Sequence, residues 1–345
     1  MKILDCTLRD GGYYTHWDFE EKLVEKYLQT MSMLPIEYVE LGYRSIPKER
    51  YEGEFCYLPI STMKKCKALV GNKHLAVMVN LNELRNIDVV KLLTPCVGFI
   101  NLIRFAVRPE DVDFAAEVSD VVRSMGFIVA ANIMYMSEWN SVPSFFNSLK
   151  SLRGKVDIVW MVDSFGAVFP NEISNIVAEI KKVLSCPLGF HGHNNIELAF
   201  ANSLQAASSG CEYIDSTITG IGRGAGNLKT ELFLTYLNKQ NCKVDFYRLS
   251  NLVSEFHEMQ KHYGWGGSLP YMISGVNSLP QKDIMEMMSK RRYSVSSIVD
   301  ILQHSSLKRE TVFSPWNYSL NEKVILIGGG ESITKHKSAV LDFII

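Results

Sequence analysis

The chain has 345 residues, 47% of them hydrophobic and 21% charged, a globular composition that excludes a disordered or fibrous protein. Its 36 basic and 37 acidic residues leave a net charge of −1, which supports neither a nucleic-acid footprint nor a polybasic membrane patch. No apolar run approaches the roughly 20 residues of a membrane span, Asp5, Arg9 and Asp10 break the N-terminal one, and the seven cysteines form no CxxC pair. The expectation is a soluble cytoplasmic protein without disulfides.

In chain order, short β-rich runs alternate with amphipathic stretches. Strands are predicted at 3–8, 38–42, 75–79, 99–105, 127–134, 156–162, 188–191 and 213–218. Most are continuous apolar runs, as in strands covered on both faces. Between them, Asp18 is placed to cap a helix that has Glu21 at its third position and Leu23, Tyr27 and Met31 on one face. Val112, Ala115, Val118, Val122 and Met125 make a helical stripe closed by Gly126. Pro170 opens another, carrying Ile173, Ile176, Val177, Ile180 and Leu184. Eight βα units in about 240 residues match a (β/α)8 TIM barrel over 1–240. An open doubly wound sheet usually has fewer strands and a glycine phosphate loop after the first. Here that place holds a charged loop, Thr7-Leu8-Arg9-Asp10-Gly11-Gly12.

Residues 241–320 read as a helical extension packing on the barrel, with helices at 244–262, 281–291 and 294–303 and a loop from Gly264. The last stretch, 321–345, reads as a strand, a glycine turn and a helix, the opening βα unit of a nucleotide-binding fold. One such unit cannot bury both faces of its strand. A longer natural protein with a fused second α/β domain is therefore expected.

The active site of such a barrel lies at the C-terminal ends of its strands. The polar residues delivered there are Arg9, Asp10, Glu40, Arg104, Asp163, Ser164, His191, His193 and, after the last strand, Arg223 and Asn227. His191-Gly192-His193 projects two imidazoles on one strand face. Alone it reads either as a metal pair or as two histidines bonded near a strand end. With the Asp10 carboxylate the set suits Mn²⁺, Mg²⁺, Co²⁺, Fe²⁺ or Zn²⁺. The glycine-rich run 220–227 reads as a phosphate cradle or as a tight turn holding Asn227 near the mouth.

Asp5-Cys6-Thr7-Leu8-Arg9-Asp10-Gly11-Gly12, His191-Gly192-His193-Asn194 and Gly220-Ile221-Gly222-Arg223-Gly224-Ala225-Gly226-Asn227 occur in that order. They resemble the three signatures of the pyruvate-carboxyltransferase-like, or HMG-CoA lyase-like, superfamily, across roughly the first 240 residues. That superfamily includes 4-hydroxy-2-oxovalerate aldolase, 3-hydroxy-3-methylglutaryl-CoA lyase and the isopropylmalate and homocitrate synthases. The resemblance implies a divalent metal, Mn²⁺ before Mg²⁺, Co²⁺ or Zn²⁺, bound by Asp10, His191 and His193 with Asn227 as a further ligand. It also implies Arg9 as the enolate stabiliser, Glu40 as an acidic group near the metal, and Arg104 and Ser164 as substrate contacts.

The aldolases carry a His just after Arg-Asp-Gly, where this chain has Tyr13, so Tyr13 and His16 are the candidate bases. The Gly-Glu-Gln of the synthases is absent. Tyr271, in the extension, is expected either to cover the mouth or to pack helices against the barrel. The reading is a metal-dependent carbon–carbon lyase of the aldolase type, acting on a small 2-oxo acid through a pyruvate-type enolate. The alternatives are a Claisen-type acyl-CoA synthase and a non-catalytic ligand-binding barrel, and a homo-oligomer is compatible with each.

Overall fold

The computed structural model describes residues 1–306 except Lys48 and Pro143, together with 335–338 and Leu341. Its eight strands close into a parallel barrel in chain order. They are β1 (Lys2–Asp5), β2 (Tyr38–Tyr43), β3 (His74–Asn80), β4 (Leu102–Val107), β5 (Ile128–Ile133), β6 (Ile158–Asp163), β7 (Leu188–Gly192) and β8 (Tyr213–Ser216). β8 returns to pair with β1, from Lys2 opposite Tyr213 to Asp5 opposite Ser216, so the sheet keeps no open edge.

The expected barrel and all eight strands are present. The segment after β1 differs. The strand stops at Asp5, and the predicted charged loop is instead a helix, Thr7–Thr15. Asp5 accepts the Thr7 N–H at 3.0 Å and Asp10 N–H reaches the Cys6 carbonyl at 2.9 Å, which starts the helix directly beneath the mouth. Asp18 does not cap the next helix, Glu21–Met33, which starts without a side-chain cap. His16 and Trp17 both take positive φ (55° and 58°), and this reversal brings the Trp17 indole N–H to the Arg9 carbonyl at 2.9 Å. A further helix, Leu269–Val276, opens with Pro270 in its first turn, inside the stretch read as loop.

The predicted helical stripes are buried. Val112, Ala115, Val118 and Val122 lie on the inner face of the helix Val112–Ser124, and Ile173, Ile176, Val177 and Ile180 on that of Pro170–Val183. They join the outward strand residues in the core between sheet and helices. Inside the barrel, Leu4, Tyr38, Ala76, Leu102, Ala130 and Trp160 form a separate apolar layer. Two residues further along their strands the same inward direction recurs. There it delivers Glu40, Arg104, Asn132, His191 and Asp215, all buried. Trp160 fills the centre of this layer because Gly189 lies against it. A Cβ at Gly189 would stand 2.4 Å from the indole.

Within the described residues, helices that follow β8 pack against the barrel. Phe256, on the helix Phe246–Tyr263, is fully buried and meets Tyr27 of Glu21–Met33 with ring centroids 6.4 Å apart. Three more helices, Leu269–Val276, Gln281–Ser289 and Val295–Ser306, share a core of Tyr271, Ile284, Ile298 and Leu302 with Ala225. Residues 1–306 form one compact unit. The βα unit expected at 321–345 falls outside the described residues apart from 335–338 and Leu341. Among the described residues no helix is long and apolar enough to cross a membrane. Phe256→Ala should lower the unfolding free energy by about 3–5 kcal/mol through cavity formation. Tyr247→Ala, at a residue 78% exposed on the same helix, should stay within about 0.5 kcal/mol in the same denaturant titration.

Candidate active site and metal centre

A cavity of about 430 Å³ opens at the C-terminal mouth of the barrel. Of the residues singled out in the sequence, Arg9, Asp10, Tyr13, Ser164, His191, His193 and Arg223 line it. Asp10 is 1% exposed, His191 2% and His193 9%. The imidazoles share one face of β7 and its continuation, with ring centroids 4.9 Å apart.

Hydrogen bonds fix how each ring is turned. His191 Nδ1 lies 2.9 Å from Asp215 Oδ2, so it carries a proton toward that carboxylate. Its Nε2 is buried without a hydrogen-bond partner and stands 3.7 Å from Asp10 Oδ2. His193 Nδ1 donates to the Asp163 carbonyl at 2.8 Å, an oxygen that can only accept. Burial, reinforced by His191, pushes His193 down to about 3, so its Nε2 keeps a free lone pair. Burial alone would raise Asp10, but Arg9, His191, His193 and Arg223 overcome it and hold the carboxyl below its usual range. Asn227 Nδ2 donates to Asp10 Oδ2 at 2.7 Å, and its Oδ1 is buried without a partner.

His191 Nε2 and Asp10 Oδ2 thus face each other with no hydrogen bond between them, and a divalent cation would satisfy both. Among the described residues the grouping whose ligand-type atoms all lie within 4.8 Å of one another is a different one, Cys6, His191 and Asp215. It fits a metal less well. Both Asp215 oxygens are engaged, by Trp160, Arg104 and His191. The Cys6 thiol donates toward Asp10 and the Ser216 carbonyl, and burial, with Asp10 adding to it, pushes the thiol well above its ordinary value. These groups instead form the layer that orients His191, as carboxylates commonly do for metal-binding imidazoles.

Beneath the cavity the charges close into a ring. Asp215 accepts from Arg104 Nη2 at 2.5 Å, and Arg104 Nη1 lies 3.2 Å from Glu40 Oε1. Glu40 Oε2 accepts from Arg9 Nε at 2.8 Å, and Arg9 Nη1 pairs with Asp10. Arg104 also donates to Asn132 Oδ1 at 3.1 Å and lies over the Trp160 ring, 4.3 Å from its centroid.

Comparison with known proteins follows the same lines. A family model described as HMGL-like matches residues 1–255. The chain belongs to the HMGL-like family. A 4-hydroxy-2-oxovalerate aldolase from Bacillus cereus is 28% identical over 269 residues, covering 74% of this chain and 75% of that protein. An oxaloacetate decarboxylase from Mycobacterium tuberculosis is 23% identical, covering 86% and 89%. Among solved structures, the N-terminal domain of a provisionally assigned aldolase from Bacteroides vulgatus is 45% identical, with a TM-score of 0.82, and covers 87% of this chain and all of that one. The carboxyl transferase domain of Rhizobium etli pyruvate carboxylase shares the fold, with a TM-score of 0.67 at 14% identity, covering 89% of this chain and 60% of that one.

Within this HMGL-like barrel several residues stand elsewhere than the sequence suggested. Arg104 and Glu40 are fully buried behind the cavity wall and hold Arg9, so Arg104 is not placed to touch a substrate. His16, its side chain 70% exposed, faces Glu52 and is outside the cavity because its positive φ turns it outward. Tyr271 does not cover the mouth. It is 3% exposed among Ile284, Ile298 and Leu302, and burial pushes its phenol up to about 12. Gln281 reaches the cavity instead, donating to Asn195 Oδ1 at 2.9 Å. The run 220–227 is the tight turn. Its Gly220, Ile221, Gly226 and Asn227 N–H groups bond to carbonyls of the same corner, leaving them unavailable to a phosphate.

Asp215, Asn132 and Trp160 went unnoticed in the sequence. The available signal was an Asp inside the apolar run Tyr213-Ile214-Asp215, since a charge there must find a buried partner. Arg104→Met should cost about 3–5 kcal/mol of stability, because it leaves Glu40 and Asp215 short of a buried counter-charge. Chemical denaturation of the variant checks this.

Proposed function

We propose that this protein is a divalent-metal-dependent carbon–carbon lyase of the aldolase type, acting on a 2-oxo acid in the cytoplasm. The observation that carries the reading is the Asp10 carboxylate 3.7 Å from the partnerless Nε2 of His191, with the His193 ring beside it and a guanidinium held against Asp10. The aldolase and decarboxylase names of its relatives support the same class, and seven scattered cysteines with no CxxC pair suit a reducing compartment. Asp10, His191 and His193 would hold the ion, with Asn227 positioning Asp10. A divalent ion there supplies Lewis-acid polarisation of a 2-oxo group.

The protein's own groups do the rest. Arg9 is held on one side by Glu40 and on the other by Asp10, so its guanidinium is fixed where it lines the cavity. Negative charge that develops on a 2-oxo oxygen as a carbon–carbon bond breaks would meet this cation without reorganisation. Tyr13 lines the same cavity with its hydroxyl 2.7 Å from that of Tyr43, and it holds the position for proton transfer. Ser164 Oγ accepts the Tyr135 N–H at 2.8 Å and shapes the opposite wall.

Deuterium exchange at C3 of pyruvate and related 2-oxo acids, followed by NMR with and without Mn²⁺, tests the reading. Exchange that requires the ion is expected; a broad panel of 2-oxo acids without exchange would overturn it. Asp10→Asn and His191→Ala should abolish tight Mn²⁺ binding in calorimetry while circular dichroism stays native. Arg9→Ala should retain the ion yet lose about 10²–10³ in exchange rate. Tyr13→Phe should lose about 10²–10⁴, as for a residue that transfers the proton.

A further inference from the structure

The cavity is larger than a three-carbon acid requires. Its volume of about 430 Å³ falls in the range of pockets for much bulkier ligands. Arg9 and Asp10 stand at its deep end, and the outer part is lined by Arg108, Arg223 and Lys282 against a single acidic residue, Glu83.

Arg223 differs from the other arginines nearby. Arg9 and Arg104 are each tied to carboxylates, Arg108 lies 3.9 Å from Glu110, and Arg44 donates to the carbonyls of Leu92, Tyr57 and Leu58. Among the described residues Arg223 has no carboxylate within ion-pair distance. Its guanidinium carbon instead lies over the Tyr13 ring, 3.8 Å from the centroid. A contact of this kind, with Tyr13 as its only side-chain partner among the described residues, restrains the guanidinium while most of its five N–H donors stay available to another partner.

The support beneath Arg223 is rigid. Gly226 N–H bonds back to the Arg223 carbonyl at 2.9 Å, and Asn227 N–H to the Gly220 carbonyl at 3.0 Å. Gly224 holds φ +58° where a Cβ would meet Gln281 Oε1 at 2.3 Å, and Gly226 holds φ +80° where one would meet the Gly220 carbonyl at 2.0 Å. The loop therefore presents one arginine, preorganised, into the cavity. A planar cation with free parallel N–H groups matches a carboxylate or phosphate oxygen pair.

We infer that Arg223 is a second anion receptor of this cavity, and that its 2-oxo acid carries a further acidic group, carboxylate or phosphate, at the end remote from the 2-oxo acid. This rests on the 2-oxo acid reading above. In an aldol cleavage that remote end leaves with the aldehyde fragment, so Arg223 selects the aldehyde partner.

Three acids of equal chain length separate the cases: 2-oxopentanoate, 2-oxoglutarate and 2-oxo-4-phosphonobutanoate. Their binding to the Mn²⁺-loaded protein is measured by calorimetry, and their C3 deuterium exchange by NMR. One of the two doubly acidic compounds should bind at least about tenfold more tightly than 2-oxopentanoate, consistent with a charge-assisted bidentate pair. Whichever it is identifies the group as carboxylate or phosphate. Arg223→Gln should erase that preference and Arg223→Lys should restore part of it. Equal binding of all three acids by the wild-type protein would overturn the inference, whether or not the variants fold. So would a preference that survives in a folded Arg223→Gln protein, or an Arg223→Gln defect equal for all three, which would place the arginine's effect on Tyr13. If the preference is found but no acid exchanges deuterium, the anion receptor stands and the lyase reading fails. If exchange occurs without preference, the reverse holds.

Discussion

The buried pairing of Arg104 with Glu40 and Asp215 is the constraint on which the rest of the site depends. Removing charges from water is expensive unless each finds a counter-charge and hydrogen bonds. In this barrel two guanidinium groups, Arg9 and Arg104, meet three carboxylates, Asp10, Glu40 and Asp215. Before the imidazoles and Arg223, which also bears on Asp10, are counted, that ring carries one negative charge in excess. The excess sits where Asp10 faces His191, and a divalent cation at that point would relieve it. The arrangement therefore disposes the site to take a cation even before any substrate is considered.

The ring exists because the barrel can be filled in its middle. Trp160 occupies the interior, Gly189 lets it lie there, and its indole N–H caps Asp215 Oδ1 at 2.9 Å while its face receives Arg104. Inward positions recur every second residue along a strand, so an apolar layer of Leu4, Tyr38, Leu102 and Ala130 is followed at once by a polar one. Six strands or their continuations contribute to the polar layer: Arg9 and Asp10 follow β1, while Glu40, Arg104, Asn132, His191 and Asp215 come from β2, β4, β5, β7 and β8. Shifting one strand by a single residue would turn its contribution outward. Barrel register and site geometry are in this sense the same property.

That dependence explains what the sequence made legible. Strand count and order could be read, and Asp10, His191 and His193 could be named as candidate ligands, because each signal is local: an apolar run, two histidines two residues apart, an Asp after a strand. The partners of those ligands could not. Asp215 matters because β7 and β8 are neighbours in a closed sheet, and no local pattern states which strand lies beside which. Arg104 and Glu40 were visible as charges in apolar strands, but their placement behind the wall depends on Arg9 filling the space in front of them. His16 was misplaced for a different reason. Two consecutive positive φ angles at His16 and Trp17 reverse the chain, and nothing in the residue types foretells them.

The same architecture separates what can vary from what cannot. Residues in one buried ionic network are energetically coupled, so replacing one member strands its neighbours. Arg9, Glu40, Arg104, Asp215 and His191 are bound together in this way, and the chemistry they support is hard to alter piecemeal. The groups at the mouth are held differently. Tyr13 projects from a short helix that Trp17 clamps through the Arg9 carbonyl, Arg223 from a glycine turn, and Gln281 from a helix of the extension. Each can be exchanged without uncovering a buried charge below. A tyrosine where the related aldolases place histidine, and an arginine stacked upon it, are changes of this inexpensive kind. They reshape the outer part of the cavity and leave the deep ring of paired charges intact.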